Sequence, residues 1–293
     1  MSAHPIPFRK MNGLGNEFAV FDARAEPVRL SPEAIQALGG PEAIGFDQMI
    51  TLEKSSHGAD AFMRIHNRDG GEVDACGNAT RCVGWLLMGE KGRNNATIET
   101  NAGLLRAFDP GQPEMVTVDM GEPRFAWDQI PLAEEFRDTR AIELQIGPID
   151  APILHSPSVA NMGNPHAIFW VDDVNAYDLA RFGPLLENHP MFPERANISL
   201  AHVTAPDAIT LRTWERGAGL TRACGTAACA AAVAAMRKKL TDRKVTVTLP
   251  GGPLTVEWRE DGHVWMTGPV ETEFEGEIDP DTLAWTAKAK GAA

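Results

Sequence analysis

The chain repeats itself at a constant spacing of 148 residues. Ala75-Cys76-Gly77-Asn78-Ala79 returns as Ala223-Cys224-Gly225-Thr226-Ala227, Gly15-Asn16 returns as Gly163-Asn164, and residues 64–68 return as residues 212–216. Three separated matches at one spacing, in a chain of 293 residues, predict a duplicated unit whose halves are related by a pseudo-twofold axis. Such an axis would bring equivalent residues face to face at an interface, where ligand pockets tend to form. A duplication without a shared site is the plainer alternative.

Each half of the sequence predicts a similar α+β unit. Apolar and alternating runs predict strands at 48–52, 61–66, 96–100 and 115–120, and in the second half near 159 and at 167–171, 198–203, 209–214, 245–249, 254–258 and 264–267. Ser31-Pro32 begins a short helix, and a long helix begins after Cys76 and again after Cys224. The second long helix is almost all alanine between 227 and 235. A helix that is apolar all round must be buried.

The predicted fold class is therefore α+β, with two pseudo-symmetric domains that are each a curled mixed sheet or barrel around a central helix. Between residues 121 and 150 the strand signals are weak and interrupted by proline. The boundary is therefore expected near the start of that stretch, which predicts domains at 1–122 and 123–270.

Charge and cysteine content restrict the class of protein. Lys and Arg number 27 against 40 Asp and Glu, and the resulting net charge of −13 disfavours nucleic acid and anionic membranes as partners. The opening MSAHPIPFRK lacks the apolar segment of a signal peptide, and four cysteines are too few for a disulfide framework. We expect a cytoplasmic protein with reduced thiols that acts on a small molecule.

Cys76 and Cys224 are the candidates for chemistry. Cys82 and Cys229 follow them at spacings that do not suit a zinc site, and these two are expected to be small buried side chains. Cys76 and Cys224 each lie at a predicted helix start, where free N–H groups and the helix dipole lower a thiol pKa and can bind a carboxylate. Two such thiols could remove a proton α to the carboxylate from one face and return one to the other.

Other chemistries fit the sequence less well. Pyridoxal phosphate would need a lysine beside a phosphate-binding loop, and none is evident. Gly13-Leu14-Gly15 lacks the third glycine of a dinucleotide fingerprint and a preceding strand of useful length. A Cys-His hydrolase using His66 or His166 would leave the duplicated cysteine unexplained. We predict no cofactor and no metal.

Seven motifs follow in order along nearly the whole chain: MNGLGNEF (11–18), IHNRDGGEVDACGNATRC (65–82), MGNPHAIFWVDDV (162–174), FPERANI (192–198), ERGAGLTRACGTAACAAA (215–232), LPGG (249–252) and MTGP (266–269). Together they resemble the diaminopimelate epimerase family. The resemblance implies a cofactor-independent isomerase that interconverts LL- and meso-2,6-diaminopimelate on the route to lysine and peptidoglycan. It also implies two barrel-like domains with the active site in the cleft, a C-terminal strand within about 271–293 that returns to the first domain, and a homodimer.

The resemblance places the two bases at Cys76 and Cys224. It places substrate contacts at Asn16, Gln48, Asn67, Asn164, Asn197, Glu215 and Arg216, and the main-chain N–H groups of Gly77, Asn78, Gly225 and Thr226 on the reacting carboxylate. Diaminopimelate carries an amino acid at each end, so Arg216 would bind the distal carboxylate and Glu215 the distal ammonium. Any single asparagine could instead be a turn residue. His166 is expected to help position groups.

Several positions depart from the family pattern. Ala79-Thr80 stands for Gly-Ala, Leu220 for Glu, Ala227 for Gly and Asn12 for His, which bears on the surroundings of the site and on rate. Two alternatives stay open. One is a proline or hydroxyproline racemase of the same fold, although those usually carry His where this chain has Asn78. The other is a protein that binds an amino acid without turning it over.

Overall fold

The structure, a computed structural model, describes residues 4–74 and 76–288. In chain order its elements are β1 (Ile6–Asn12), β2 (Glu17–Asp22), α1 (Pro32–Leu38), β3 (Gln48–Glu53), β4 (Ala61–Asn67), β5 (Glu72–Val73), α2 (Gly77–Lys91), β6 (Asn95–Thr100), β7 (Gly103–Phe108), β8 (Met115–Asp119), β9 (Gln145–Ile146), β10 (Leu154–His155), β11 (Ser158–Asn161), β12 (Pro165–Trp170), α3 (Leu179–Glu187), β13 (Asn197–Ala205), β14 (Ala208–Glu215), β15 (Gly219–Leu220), α4 (Gly225–Arg237), β16 (Lys244–Leu249), β17 (Gly252–Trp258), β18 (Val264–Pro269), β19 (Glu271–Ile278) and β20 (Trp285–Ala287). None of the helices in these residues has the length and apolar character needed to cross a bilayer.

The chain divides into two compact units. Unit 1 comprises Met1–Val118 and Gly268–Ala293, and unit 2 comprises Asp119–Thr267. Unit 1 is therefore discontinuous in sequence: β19 pairs antiparallel with β1, from Ile6 opposite Ile278 to Asn12 opposite Glu271. The division at 122/123 and 270/271 stays a prediction of where separately folding domains begin and end.

Unit 1 is a mixed sheet that packs on α2. Strand β2 is antiparallel to β1 and parallel to β3. Strand β4 is antiparallel to β3 and parallel to β6, and β7 forms a hairpin with β6. Helix α2 lies against β6 and β7. It ends at Gly92, whose φ of 58° is the left-handed conformation that glycine adopts easily. On another side of the sheet, α1 buries Ile35 and Leu38 in a cluster with Phe8 and Phe21.

Unit 2 surrounds α4 with its sheet. The helix contacts β11, β12, β13, β14, β16 and β17, and every residue from Ala227 to Ala235 is at most 3% exposed. Small side chains let the strands approach such a helix closely on all sides. Helix α3 packs against β13, β14 and β15, with a separate cluster of apolar residues that includes Phe182, Leu186 and Phe192.

The two units repeat one order of pairing. In unit 1, β2 and β3 are parallel, β3 and β4 antiparallel, β4 and β6 parallel, and β6 and β7 antiparallel. In unit 2 the same senses recur in β12, β13, β14, β16 and β17. In each unit the long helix lies in sequence between the third and the fourth of these strands, after β5 in unit 1 and after β15 in unit 2. The repeat in the sequence thus reflects a repeat in topology, and the fold class is α+β as predicted.

Most predicted elements are confirmed, but the argument that no strand of useful length precedes Gly13 is wrong. Ser31 Oγ accepts a hydrogen bond from the Ala34 N–H at 3.2 Å, as expected of an N-cap, and both long helices begin where predicted. However, a full strand, β1, does precede Gly13. The chain then continues into β2 rather than into a helix, so the strand-turn-helix context of a dinucleotide fingerprint is still missing.

Candidate active site

Cys76 and Cys224 are the N-cap residues of α2 and α4. Their backbones are extended and nearly the same, with φ and ψ of −147° and 113° at Cys76 and −131° and 107° at Cys224. Each carbonyl accepts the first bond of its helix, from Thr80 N at 2.9 Å and from Ala228 N at 3.1 Å. Neither helix receives a side-chain cap. The thiols therefore lie beside first-turn N–H groups that are available for an anion.

The environment of Cys224 raises its pKa. Burial raises the pKa of this thiol well above its usual value, and the charge of Glu215 raises it further, while the Thr226 hydroxyl and the Ala227 N–H act in the opposite direction. Thr226 Oγ1 lies 3.5 Å from Cys224 Sγ. The expectation that a helix start would lower the thiol pKa is thus wrong for Cys224, because the loss of water outweighs the N–H groups.

The four cysteines all lie in the described part of the chain and are all reduced. Cys76 is half-buried, and the other three are buried. Burial raises the pKa of Cys82 to about 12, as expected of a structural thiol. The described residues contain no group of three His, Cys, Asp or Glu side chains that could hold a metal ion.

The predicted contacts of unit 1 lie at strand ends. Asn16 precedes β2, Gln48 begins β3 and Asn67 ends β4. Because β2 and β3 are parallel and β4 is antiparallel to β3, these three positions share one edge of the sheet. Gln48 Nε2 donates to Asn67 Oδ1 at 2.9 Å, while Gln48 Oε1 is buried with no hydrogen-bond partner among the described residues.

Asp47 orients Asn16 toward the thiol. Asp47 Oδ2 accepts from both Asn16 Nδ2 and Glu17 N at 2.9 Å. The Asn16 amide is thereby held with Oδ1 on the other side, 3.9 Å from Cys76 Sγ. Sequence reasoning did not single out Asp47, although it lies directly before the predicted strand that begins at Gln48.

Hydrogen bonds from Arg81 and Thr80 stabilise the first turn of α2. Arg81, which is fully buried, donates from Nη1 to Asn78 Oδ1 at 2.9 Å. Thr80 Oγ1 donates to the Cys76 carbonyl at 2.8 Å. One of the departures from the family pattern, Thr80, is therefore used in the helix start itself. Gly77 and Gly225 are the first residues of α2 and α4.

The predicted contacts of unit 2 occupy equivalent strand ends. Asn164 precedes β12, Asn197 begins β13 and Glu215 ends β14. Asn197 is 2% exposed, and its side chain binds main chain on both sides: Nδ2 donates to Pro165 O at 3.0 Å, and Oδ1 accepts from Arg216 N at 2.9 Å. The structure thus uses Asn197 to hold the backbone of Arg216.

Glu215 and Arg216 have further partners nearby. Thr221 Oγ1 donates to Glu215 Oε1, and Arg216 Nη1 donates to Glu194 O at 2.9 Å. Leu220, another departure from the family pattern, is 46% exposed. Glu194 and Thr221 were not identified from the sequence, since a carbonyl and a hydroxyl carry no distinctive pattern.

His166 is neutral in this environment. Burial and the nearby charge of Arg216 lower its pKa to about 3. Its Nε2 lies 2.6 Å from Asn164 Oδ1, so Nε2 carries the proton, and Nδ1 is buried without a partner among the described residues. An imidazole with so low a pKa is too weak a base to activate a thiol at neutral pH, which disfavours His166 as the base of a Cys-His hydrolase.

Comparison with known proteins identifies the family. Residues 8–126 and 158–273 match the family model for diaminopimelate epimerase. The chain belongs to the diaminopimelate epimerase family. It is similar to the diaminopimelate epimerase of Brucella anthropi, with 60% identity over 97% of this chain and 95% of the relative. The diaminopimelate epimerase of Afipia carboxidovorans is 61% identical over 94% of this chain and 96% of the relative. This epimerase-family chain is accordingly an isomerase.

Solved structures support the fold. A hydroxyproline epimerase from Agrobacterium vitis, solved with bound trans-4-hydroxy-L-proline, superposes with a TM-score of 0.66 at 16% identity, covering 94% of this chain and 92% of that one. Identity this low supports the fold alone. Because diaminopimelate epimerases match at about 60% identity over nearly the full length, the proline or hydroxyproline racemase alternative is not favoured.

Proposed function

We propose that the protein interconverts LL- and meso-2,6-diaminopimelate by inverting one α-carbon. The observation that carries this proposal is membership of the diaminopimelate epimerase family over most of the chain. The two equivalent N-cap cysteines support it, because an inversion needs an acid and a base of similar kind on opposite faces of the carbon.

In the proposed mechanism Cys76 and Cys224 are the two bases. A thiolate removes the α-proton while the other thiol delivers a proton to the opposite face, so one thiol and one thiolate are present before and after turnover. The N–H groups of Gly77, Asn78, Gly225 and Thr226 bind the reacting carboxylate and stabilise the enediolate-like charge. The raised pKa of Cys224 suits it to be the protonated member at rest.

The remaining contacts are proposed to recognise the substrate. Arg216 binds the distal carboxylate and Glu215 the distal ammonium, since the planar guanidinium fork matches a carboxylate. Asn16, Gln48, Asn67 and Asn164 supply amide groups to the ammonium and carboxylate groups of the substrate, and Asn197 takes part through the backbone of Arg216. No cofactor and no metal take part in this scheme.

We also propose a cytoplasmic homodimer. Four reduced cysteines suit a reducing compartment, and the products serve lysine and peptidoglycan precursor synthesis. Light scattering on the purified protein is expected to give twice the chain mass of 31.7 kDa. A monomer active at the same concentration would contradict the dimer without affecting the reaction.

The test of the reaction is incubation with LL-diaminopimelate in heavy water. Deuterium should enter at one α-carbon per inversion, and the meso isomer should appear in parallel. Binding without exchange would identify a non-catalytic amino-acid-binding protein. Exchange of proline at a comparable rate would support the racemase instead.

A further inference from the structure

Glu187 carries a carboxylate at a helix end where a negative charge is unfavourable. It is the last residue of α3, where the partial negative charge of the helix C-terminus repels an anion. Its side chain is only 6% exposed, so water does little to offset that repulsion. An arrangement with two such penalties needs strong local hydrogen bonds in compensation.

Three donors from two segments of the chain converge on this carboxylate. Oε1 accepts from Gly217 N at 2.9 Å and from Arg195 Nη1 at 3.1 Å, and Oε2 accepts from Trp214 Nε1 at 2.7 Å. Trp214 and Gly217 directly flank Glu215 and Arg216 in sequence. The Glu187 carboxylate therefore fixes both ends of the segment that carries the proposed distal contacts.

The conformation of that segment depends on Gly217. Its φ of 76° is left-handed, and it lies in a turn that Ala218 N closes by donating to Glu215 O at 3.1 Å. The Gly217 N–H that donates to Glu187 belongs to the peptide bond between Arg216 and Gly217, inside this turn. With Asn197 on Arg216 N and Glu194 O on Nη1, Glu187 is the third point that holds Arg216.

Close packing supports the same role. A Cβ at Gly183, in the middle of α3, would lie 2.5 Å from the ring of Trp214, so helix and ring are in direct contact. The end of α3 is thereby placed against the 214–217 segment before any substrate binds.

We propose that Glu187 is a positioning residue that holds the 214–217 segment so that Arg216 can bind the distal carboxylate of the substrate. This inference rests on the proposed function. Glu187 acts through Arg216 and touches no reacting atom. Its removal should therefore weaken recognition of the distal end and spare the chemistry at the α-carbon.

The test is Glu187→Gln with two substrates. The glutamine amide has one oxygen that accepts and one NH₂ group that donates. At least one of the three donors, which now bind both carboxylate oxygens, would therefore face the NH₂ group instead of an acceptor. We expect kcat/KM for diaminopimelate to fall about 30-fold, mostly through KM. Lysine equals diaminopimelate without its distal carboxylate, and its slow α-proton exchange in heavy water should change less than about threefold. Glu143→Gln, at an exposed glutamate of unit 2, is the matched control and should leave both rates unchanged.

A second comparison uses Arg216→Met. If Glu187 acts through Arg216, adding Glu187→Gln to Arg216→Met should lower kcat/KM by less than about threefold more. Should Glu187→Gln fail to fold, Glu187→Asp serves the same test, because it is one methylene too short to reach all three donors.

The outcomes separate the two proposals. Equal losses with diaminopimelate and lysine, or additive losses with Arg216→Met, would mean a merely structural role and overturn the inference. Wild-type kinetics for Glu187→Gln, together with an impaired Arg216→Met, would overturn the inference about Glu187 and leave the proposed function standing. A wild-type protein that does not epimerise diaminopimelate would overturn the proposed function together with it.

Discussion

Residues at equivalent positions in the two units differ in burial and in hydrogen-bond partners. Cys76 and Cys224 share an N-cap backbone, yet Cys76 is half-buried and Cys224 is buried beside Glu215. Asn164 and Asn16 both precede a strand, but one is paired with a buried neutral histidine and the other with an aspartate. The two thiols therefore share a backbone conformation but differ in burial and in neighbouring side chains.

We expect Cys76→Ala and Cys224→Ala each to abolish epimerisation, because each removes the base or the acid that one face of the α-carbon requires. The matched control is Cys229→Ala, which makes the same change five residues further along α4, among buried alanines. Activity is measured by polarimetry or chiral chromatography. Near wild-type turnover in either single variant would refute the two-base scheme.

The thiols should also differ in reactivity with pH. A raised pKa lowers the thiolate fraction at a given pH, so Cys224 should react with iodoacetamide only slowly at pH 7 to 8 and increasingly above the usual thiol range near pH 8.5. Cys76, which is half-buried, should be alkylated first. Peptide mass spectrometry against time and pH measures both. Faster labelling of Cys224 than of Cys76 at neutral pH would contradict the burial argument.

Elements are arranged so that each long helix presents its first turn at the sheet edge where the polar strand ends gather. The interior of α2 shows how closely this is packed. A Cβ at Gly84 would lie 2.4 Å from the Ala107 Cβ of β7, whereas one at Gly89 would have nothing within 4 Å. The same substitution in one helix therefore tests packing at one site and helix propensity at the other.

Gly84→Ala should destabilise the protein by about 1–3 kcal/mol through overpacking, and Gly89→Ala should stabilise it by about 0.5–1 kcal/mol through helix propensity. Urea unfolding followed by circular dichroism measures both. If the two variants shift the midpoint in the same direction, close contact between α2 and β7 is not what limits residue size at Gly84.

The sequence predicted what depends on local pattern. Both long helices, α1 and most strands follow from alternation, capping residues and the alanine run. Helix α3 was not predicted, because Pro184 lies inside it and proline usually argues against a helix interior. Asp47 and Glu187 were missed because their roles arise only when their hydrogen-bond partners are brought together. A buried glutamate at the C-terminal end of a helix also runs against the usual preferences for helix charge and for burial. The repeat singled out Cys76 and Cys224, whereas substrate contacts such as Gln48 and Asn197 came from the resemblance to the family.

The molecule as a whole is acidic, and several carboxylates in both units are held ionised. Burial favours the neutral form of Asp60, but hydrogen bonds from Lys91, Thr97 N and Arg93 outweigh it and lower its pKa to about 2. Asp138 in unit 2, bonded to Arg140, also has a pKa of about 2. A carboxyl whose pKa is lower in the folded state than its usual 3.8 stabilises the fold above that pH.

Because buried His166 has a pKa of about 3 in the folded state, against its usual 6.5, stability should begin to fall below about pH 6.5. The lowered pKa values of Asp60 and Asp138 should add a further fall between about pH 4 and pH 2. Asp60→Asn should remove part of that acid dependence and cost about 1–3 kcal/mol at pH 7, since it leaves charged donors with a poorer acceptor. Asp150→Asn, at an exposed position, is the control. Urea midpoints measured from pH 2 to 7 decide the point, and an unchanged acid slope in Asp60→Asn would contradict it.

The antiparallel pairing of β1 with β19 has a consequence for synthesis on the ribosome. Strand β1 is synthesised long before its partner β19. Unit 2 is continuous in sequence, so all its strands are synthesised before β19. At translation rates of about 5–20 residues per second, the interval between the end of residues 1–118 and the emergence of β19 is on the order of ten to thirty seconds. During that time the nascent first unit carries an open edge at β1, and the later half of the chain can complete its fold before the earlier half.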